Sequence, residues 1–339
     1  MEQQARHLID TFALQCGTTV RALRLEYAMH GQLNHERTNA ILFPTWFGAT
    51  HKANSWIIGP GRALDTEKYC VIVVNALGNG RSSSPSNHPD LLHGGRPVPV
   101  SLHDNVVAQA DLVRALGIEK LFAVIGRSMG AQQAFQWGCL YPDRTGRIFA
   151  FCGTPATSTH NRVLLEGMAT ILEAAANSED SAKDALRNAG RVYAAWVLSH
   201  EFFNDGSWKG ERPMDWVSRM ILPAFLEFHR HDILSLIRTW QFADISANAR
   251  FGGNLKNALE AITVPVFLMP ISHDLIFPPQ DFEECARHLP NSRTTVLYSI
   301  WGHRAGAPNS DAADIAELET AIRGFLLHPA GDACLAPGR

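Results

Sequence analysis

Ser128 stands between two glycines, in Gly126-Arg127-Ser128-Met129-Gly130. An apolar run at 121–125 ends just before it, and a stretch with helical spacing follows over 131–140. A serine on so sharp a strand-to-helix turn is held in strained backbone geometry, its hydroxyl pushed out at the end of the sheet. Glycine two residues to either side lets strand and helix pack closely. These residue types in this context mark a nucleophile. A serine hydroxyl attacks only when a base takes its proton. The candidate base is His303, in Trp301-Gly302-His303, where Gly302 allows close approach of backbone or substrate. The imidazole in turn needs a carboxylate to hold its tautomer and stabilise the imidazolium. Asp274 follows the apolar run at 264–269, in a loop at a strand's carboxyl end. Asp281 is the alternative, but Pro278 and Pro279 before it read as a helix start, where an aspartate favours the dipole. Acyl transfer also needs N–H donors for the oxyanion. Met129, directly after the serine, supplies one. Trp46 is the candidate for the second, with Phe47 as the alternative, in the loop after an early strand.

The elements that must position these residues are legible as short apolar runs. Strands are expected at 20–27, 40–43, 70–74, 121–125, 147–151, 264–269 and 294–298. Helical spacing separates many of them, at 105–116, 131–140, 281–288 and 312–327. Alternating strands and helices predict an α/β fold with a mostly parallel central sheet flanked by helices. Such sheets carry their sites outside the carboxyl ends of the strands. The chain order Ser128, Asp274, His303 is that of an α/β-hydrolase. Between 156 and 250 the alternation breaks into a helical stretch rich in tryptophan and phenylalanine. It is too long for a loop and predicts a helical lid insertion into a core made of 1–155 and 251–328. Its aromatics read mainly as core, although a lid over the strand ends also lines the pocket. The tail 329–339 is expected to fray.

Composition excludes several other classes. The chain has 339 residues, 46% hydrophobic and 19% charged, with a formal net charge of −3. That composition supports a sizeable core and argues against disorder. No basic block suggests nucleic-acid binding, and no apolar stretch reaches membrane-spanning length. The first residues lack the basic-then-apolar layout of a secretory signal, so a cytoplasmic location is the expectation. The six cysteines are scattered and read as reduced core or surface thiols, not as disulfides or a zinc site. His229, His231 and Asp232 are too close together to share a helix face well, and no second cluster completes a ligand set. No metal and no cofactor are expected.

Beyond the triad, the chain resembles the homoserine O-acetyltransferase family of α/β-hydrolases. The likeness rests on Gly59-Pro60-Gly61-Arg62 followed by Tyr69, on Asn75-Ala76-Leu77-Gly78-Asn79-Gly80 with Ser82 and Ser83, on the Ser-Met-Gly elbow, and on Tyr141-Pro142-Asp143-Arg144. It covers roughly residues 15–160 and 255–327. The resemblance implies Ser128, Asp274 and His303 as the triad, and Trp46 and Met129 framing the oxyanion. It also implies a helical lid, an acyl-enzyme mechanism and a homodimer. Two departures bear on the substrate. Family transferases usually carry an aspartate after the catalytic histidine, thought to meet the amino group of homoserine. Here Arg304 stands there, and a cation repels an ammonium group. Arg127 stands where transferases usually have glycine or a small residue. The family's arginine-bearing lid pattern is not found either. The expected function is therefore a serine carboxylic-ester hydrolase of small, acetyl-type esters, with Phe47, Arg127 and Arg304 as candidate substrate contacts. Acetyl-CoA-dependent O-acyl transfer to homoserine or another alcohol is the alternative. A non-catalytic binding protein of the same fold is the third reading, and the intact triad argues against it.

Overall fold

Central strands that are apolar at every position can only be satisfied when both faces of the sheet are covered. The computed structural model, which describes residues 2–206, 208 and 210–328, has this arrangement. The expected frayed tail and Cys334 lie outside the described residues. An eight-stranded sheet runs in the order β1 (Glu2–Ala13), β2 (Thr19–His30), β4 (Cys70–Val74), β3 (Ala40–Leu42), β5 (Ala123–Arg127), β6 (Ile148–Phe151), β7 (Val266–Met269) and β8 (Ser292–Thr294). From β4 to β8 every pairing is parallel, and only the β1–β2 and β2–β4 pairings are antiparallel. Strands β3 to β7 are buried along their whole length.

Strand alternation divides the core in two. Leu42, Ile72, Val74, Val124, Ala150 and Leu268 point to the face covered by α1 (Leu102–Ala115) and α2 (Met129–Leu140). Ile41, Val71, Val73, Ile125, Phe149 and Phe267 point to the other face, where Ile322 and Phe325 of a later helix, Ala312–Leu327, cover them. Helix α1 opens with a capping box: Ser101 accepts from Asp104 N–H while the Asp104 carboxylate accepts from Ser101 N–H.

Two strand expectations are corrected. β1 was not read as a strand, because its sequence is polar at most positions and it lies largely exposed at the sheet edge. The strand expected at 294–298 pairs with β7 only over Ser292–Thr294. Its apolar residues continue past the end of β7, where Leu297 bridges Ile271 alone and Tyr298 is 79% exposed.

Between β6 and Ala243 lie six helices among the described residues: α3 (Thr159–Glu173), α4 (Glu179–Val197), α5 (His200–Asp205), α6 (Pro213–Met220), α7 (Pro223–Leu226) and α8 (Arg230–Gln241). The segment leaves and rejoins the sheet side by side: Thr157 N–H donates to Ala243 O, and Ile245 N–H to Pro155 O. Residues 242–250 are turns and one isolated bridge at Asp244, not the helix expected there. Asn248 Oδ1 accepts from the backbone of Arg250 and Phe251, and Gly252 and Gly253 take positive φ, turn chemistry that stops a helix. Then follow α9 (Leu255–Glu260), α10 (Pro279–Ala286) and α11, the Ala312–Leu327 helix already described. No helix among the described residues is long and apolar enough to cross a membrane.

The junction of β5, α2 and β6 is packed to backbone contact. A Cβ on Gly126 would lie 2.2 Å from the Gly130 carbonyl oxygen, and one on Gly153 would lie 2.3 Å from the Ser128 carbonyl oxygen. Neither obstacle is a flexible side chain. Gly126→Ala is expected to destabilise the fold by about 3 kcal/mol or more, because backbone must move. Gly167→Ala is the contrast: it is exposed within α3 with open space at its Cβ, and should stabilise by about 0.5–1 kcal/mol. Urea unfolding of the two variants beside wild type checks both signs.

Candidate active site

Ser128 holds φ +54° and ψ −127° at the start of α2. A non-glycine residue keeps such a backbone only where its surroundings over-determine it. Here Ser128 N–H donates to Phe151 O at 2.9 Å, and the glycine contacts at the β5–α2–β6 junction do the rest. The turn delivers its hydroxyl to His303: Ser128 Oγ lies 2.8 Å from His303 Nε2. His303 Nδ1 lies 2.7 Å from Asp274 Oδ2. A carboxylate only accepts, so Nδ1 carries the imidazole proton and Nε2 is free to accept from the serine. The other Asp274 oxygen, Oδ1, accepts from the N–H groups of Ile276 and Phe277 at 2.8 and 3.0 Å. All three side chains are buried. Asp281, the alternative carboxylate, lies in the first turn of α10.

Burial by itself would lower the His303 pKa. The Asp274 carboxylate, and beside it Cys152, outweigh burial and push it up to about 9. Cys152 was not singled out from the sequence, where it read as one more core thiol. It follows β6 with φ +41° and comes within 4.8 Å of both Asp274 and His303. Only the parallel pairing of β6 with β7 brings it there.

The loop carrying His303 is braced on both sides. Ser299 Oγ donates to Asp314 Oδ2 at 2.6 Å and accepts from Trp301 N–H at 3.1 Å. Gly302 takes φ +56°, and a Cβ there would lie 2.9 Å from Ser199 N, so only glycine admits the link between α4 and α5 this close.

The 44–47 loop lies against the other side of the elbow. Thr45 N–H is spent on Val74 O, while no acceptor among the described residues takes the N–H of Trp46 or Phe47. Met129 is the first residue of α2, so its N–H has no intrahelical partner. The loop and the elbow are tied by one side chain. Gln133 Nε2 donates to Thr45 O at 3.0 Å and to Met129 O at 3.3 Å. Gln133 Oε1 accepts from Gln109, whose own oxygen accepts from Trp137 Nε1. Sequence reasoning passed over Gln133, because a glutamine on a helix has no local signal for bridging two loops. The Asn75–Gly80 motif braces the same loop through Ala76 N–H, which donates to Thr45 Oγ1.

The candidate substrate contacts separate in space. Phe47 packs its ring against Tyr193, Phe225 and Trp240 of α4, α7 and α8, at 5.4–5.7 Å between centroids. Trp240 meets Phe277, and Phe277 meets the His303 ring at 5.6 Å. Insertion aromatics thus reach the site, which the sequence reading had weighted toward core. Arg127 lies under the site instead, with its guanidinium over the rings of Trp46 and Phe151 and donating to His303 O. Arg304 donates to Pro308 O at 2.9 Å, and burial together with Arg127 lowers its pKa to about 10. The five described cysteines are free thiols, all buried except Cys16. Asp232, of the histidine-rich triplet, accepts from Ser86 N–H and Oγ.

The sequence pattern of the alpha/beta hydrolase fold matches residues 41–305. The chain belongs to the α/β-hydrolase family. Within that family it is 37% identical to an ethyl acetate hydrolase of Pseudomonas veronii, over 95% of each chain. A solved acetylester hydrolase from Corynebacterium glutamicum superimposes with a TM-score of 0.90 at 31% identity, covering 96% of both chains. A homoserine O-acetyltransferase of Chlorobium chlorochromatii is 25% identical over 87% of this chain and 88% of its own. The kinship implied by the motifs therefore holds: this α/β-hydrolase is related to acetyl esterases and to homoserine O-acetyltransferases alike.

Gln133→Leu is expected to lower kcat on an activated ester by roughly 10- to 100-fold with KM nearly unchanged, because the 44–47 loop loses its tie to the Ser128 elbow. It should also cost about 1–3 kcal/mol of stability, since buried partners lose their hydrogen bonds. Steady-state kinetics and urea unfolding read the two effects separately.

Proposed function

We propose that this α/β-hydrolase is a serine esterase of small acyl esters, acetates above all, working through an acyl-enzyme. The observation that carries the reading is the unbroken line Ser128 Oγ–His303 Nε2, His303 Nδ1–Asp274 Oδ2, at 2.8 and 2.7 Å. In this reading His303 takes the proton of Ser128 as the oxygen attacks the ester carbonyl. The N–H groups of Met129 and of Trp46 or Phe47 receive the oxyanion. His303 then protonates the departing alcohol, and later takes a proton from the water that cleaves the acyl-enzyme. Asp274 holds the tautomer and stabilises the imidazolium. Helices α3 to α8, the 156–250 insertion, act as the lid between the two parts of the core. Phe47, Tyr193, Phe225 and Trp240 form its wall over the site and limit the size of acyl and alcohol groups.

The preference for small acetates is supported by the ethyl acetate and acetylester hydrolases among the relatives. The guanidiniums of Arg127 and Arg304 weigh against homoserine as acceptor, since an ammonium group approaching His303 would meet two cations. The family resemblance extends this reading to a homodimer.

Ser128→Ala is expected to abolish ethyl acetate and aryl acetate hydrolysis, and Asp274→Asn to lower kcat about 10⁴-fold. Equal activity of wild type and Ser128→Ala would sink the proposal. Release of free thiol from acetyl-CoA only when homoserine is added would favour transfer over hydrolysis.

A pH profile follows from the raised His303 pKa. The base works only unprotonated, so kcat/KM should climb with pH through the neutral range, stand near half its maximum at about pH 9 and level off above that. A flat profile between about pH 5 and 8 would contradict a histidine base.

A further inference from the structure

Cys152 is the one buried group at the triad that the proposed mechanism leaves without a task. It stands at the carboxyl end of β6, its N–H donating to Met269 O at 3.0 Å across to β7. Five residues after Met269, on the same neighbouring strand's loop, comes Asp274. A ligand atom from each of Cys152, Asp274 and His303 lies within 4.8 Å of the other two, and all three residues are buried. Among the described residues this is the only such group of three or more histidine, cysteine or carboxylate side chains. A thiolate sulfur, an imidazole nitrogen and a carboxylate oxygen are a donor set for zinc and similar transition metals, and a poor one for calcium or magnesium. Three protein ligands also leave a fourth, open position.

We propose that Cys152, Asp274 and His303 form an inhibitory site for Zn²⁺ that overlaps the catalytic machinery. The proposal adds a control to the esterase reading and rests on it for the word inhibitory. On binding, the Cys152 thiol loses its proton to solvent as the sulfur–zinc bond forms. The ion takes Nδ1 of His303, the nitrogen that faces Asp274, and the proton there moves to Nε2. Asp274 exchanges its hydrogen bond from Nδ1 for a bond to the metal. One proton is released when the imidazole starts neutral and two when it starts as imidazolium, whose Nε2 is already protonated, and nothing is oxidised or reduced. The consequence lies at the far side of the ring. Nε2 now carries a proton and donates toward Ser128 Oγ, so it can no longer accept the serine's proton. The metal disables the base by fixing the wrong tautomer, with no need to touch the nucleophile.

The test uses the full chain in zinc-buffered solution, with Zn²⁺ as the only added ligand. Wild type should lose activity reversibly, with recovery on adding a chelator, while Ca²⁺ and Mg²⁺ leave it unchanged. Cys152→Ala and the near-isosteric Cys152→Ser should each need at least about tenfold more free zinc for half inhibition, read against their own zinc-free rates. Titration with Co²⁺ supplies a readout that needs no turnover. Wild type and Ser128→Ala should both show a thiolate-to-cobalt charge-transfer band that Cys152→Ala lacks. Equal zinc sensitivity of wild type and both Cys152 variants would overturn the proposal, as would absence of the cobalt band from wild type. Absence of esterase activity with the band present would instead refute the esterase reading and leave the metal site standing.

Discussion

The structure depends on backbone-to-backbone contact around Ser128. Strand β5 ends, α2 begins one residue later, and the packing around the turn leaves room only for hydrogen atoms at Gly126 within β5 and at Gly153 after β6. Ser128 is held at φ +54° as a result. A strained non-glycine residue costs about 1–3 kcal/mol. Each fully buried apolar side chain contributes about 1.5–3 kcal/mol, and β5, β6 and α2 bury many, Val124, Ile125, Phe135, Phe149 and Phe151 among them. Packing therefore outweighs the strain several times over, and the serine stays where the sheet end points it.

Everything else at the site is arranged relative to that fixed point. β7, next but one to β5 across β6, delivers Asp274 from its carboxyl end, and Ser299 with Asp314 hold the loop that brings His303 between the two. Gln133 holds the 44–47 loop against the same elbow from the opposite side. Arg127, the residue before Ser128, joins these parts from below. Its guanidinium stacks on Trp46 of the 44–47 loop and donates to the carbonyl of His303. A buried cation without a carboxylate partner is costly unless aromatic faces and carbonyls replace water. Arg127 has the rings of Trp46 and Phe151 and the His303 carbonyl, while its Nε is buried with no partner among the described residues.

Much of this was legible in the chain. Uniformly apolar runs announce strands covered on both faces, and those at 40–43, 70–74 and 121–125 became β3, β4 and β5 nearly at the expected bounds. The strand at 294–298 misled because an apolar run does not reveal where its partner ends. β1 was invisible for the converse reason: an edge strand lies half in water and needs few apolar residues. Within the insertion, helical spacing was plain in most of the segment. Which aromatic faces meet was not, since Phe47 and Trp240 lie far apart in the chain and touch only after α8 folds back.

The sequence by itself determined the local chemistry: a serine on a glycine-flanked turn, an aspartate after a strand, and a histidine beside a glycine that permits positive φ. These are properties of neighbouring residues, and short-range sterics suffice to read them. Tertiary structure alone decided who stands next to whom. Cys152 beside Asp274 and His303, Gln133 between two loops, and Arg127 beneath the histidine all follow from parallel strand pairing and helix packing. Parallel strands place residues more than a hundred positions apart side by side, and no local pattern encodes that distance.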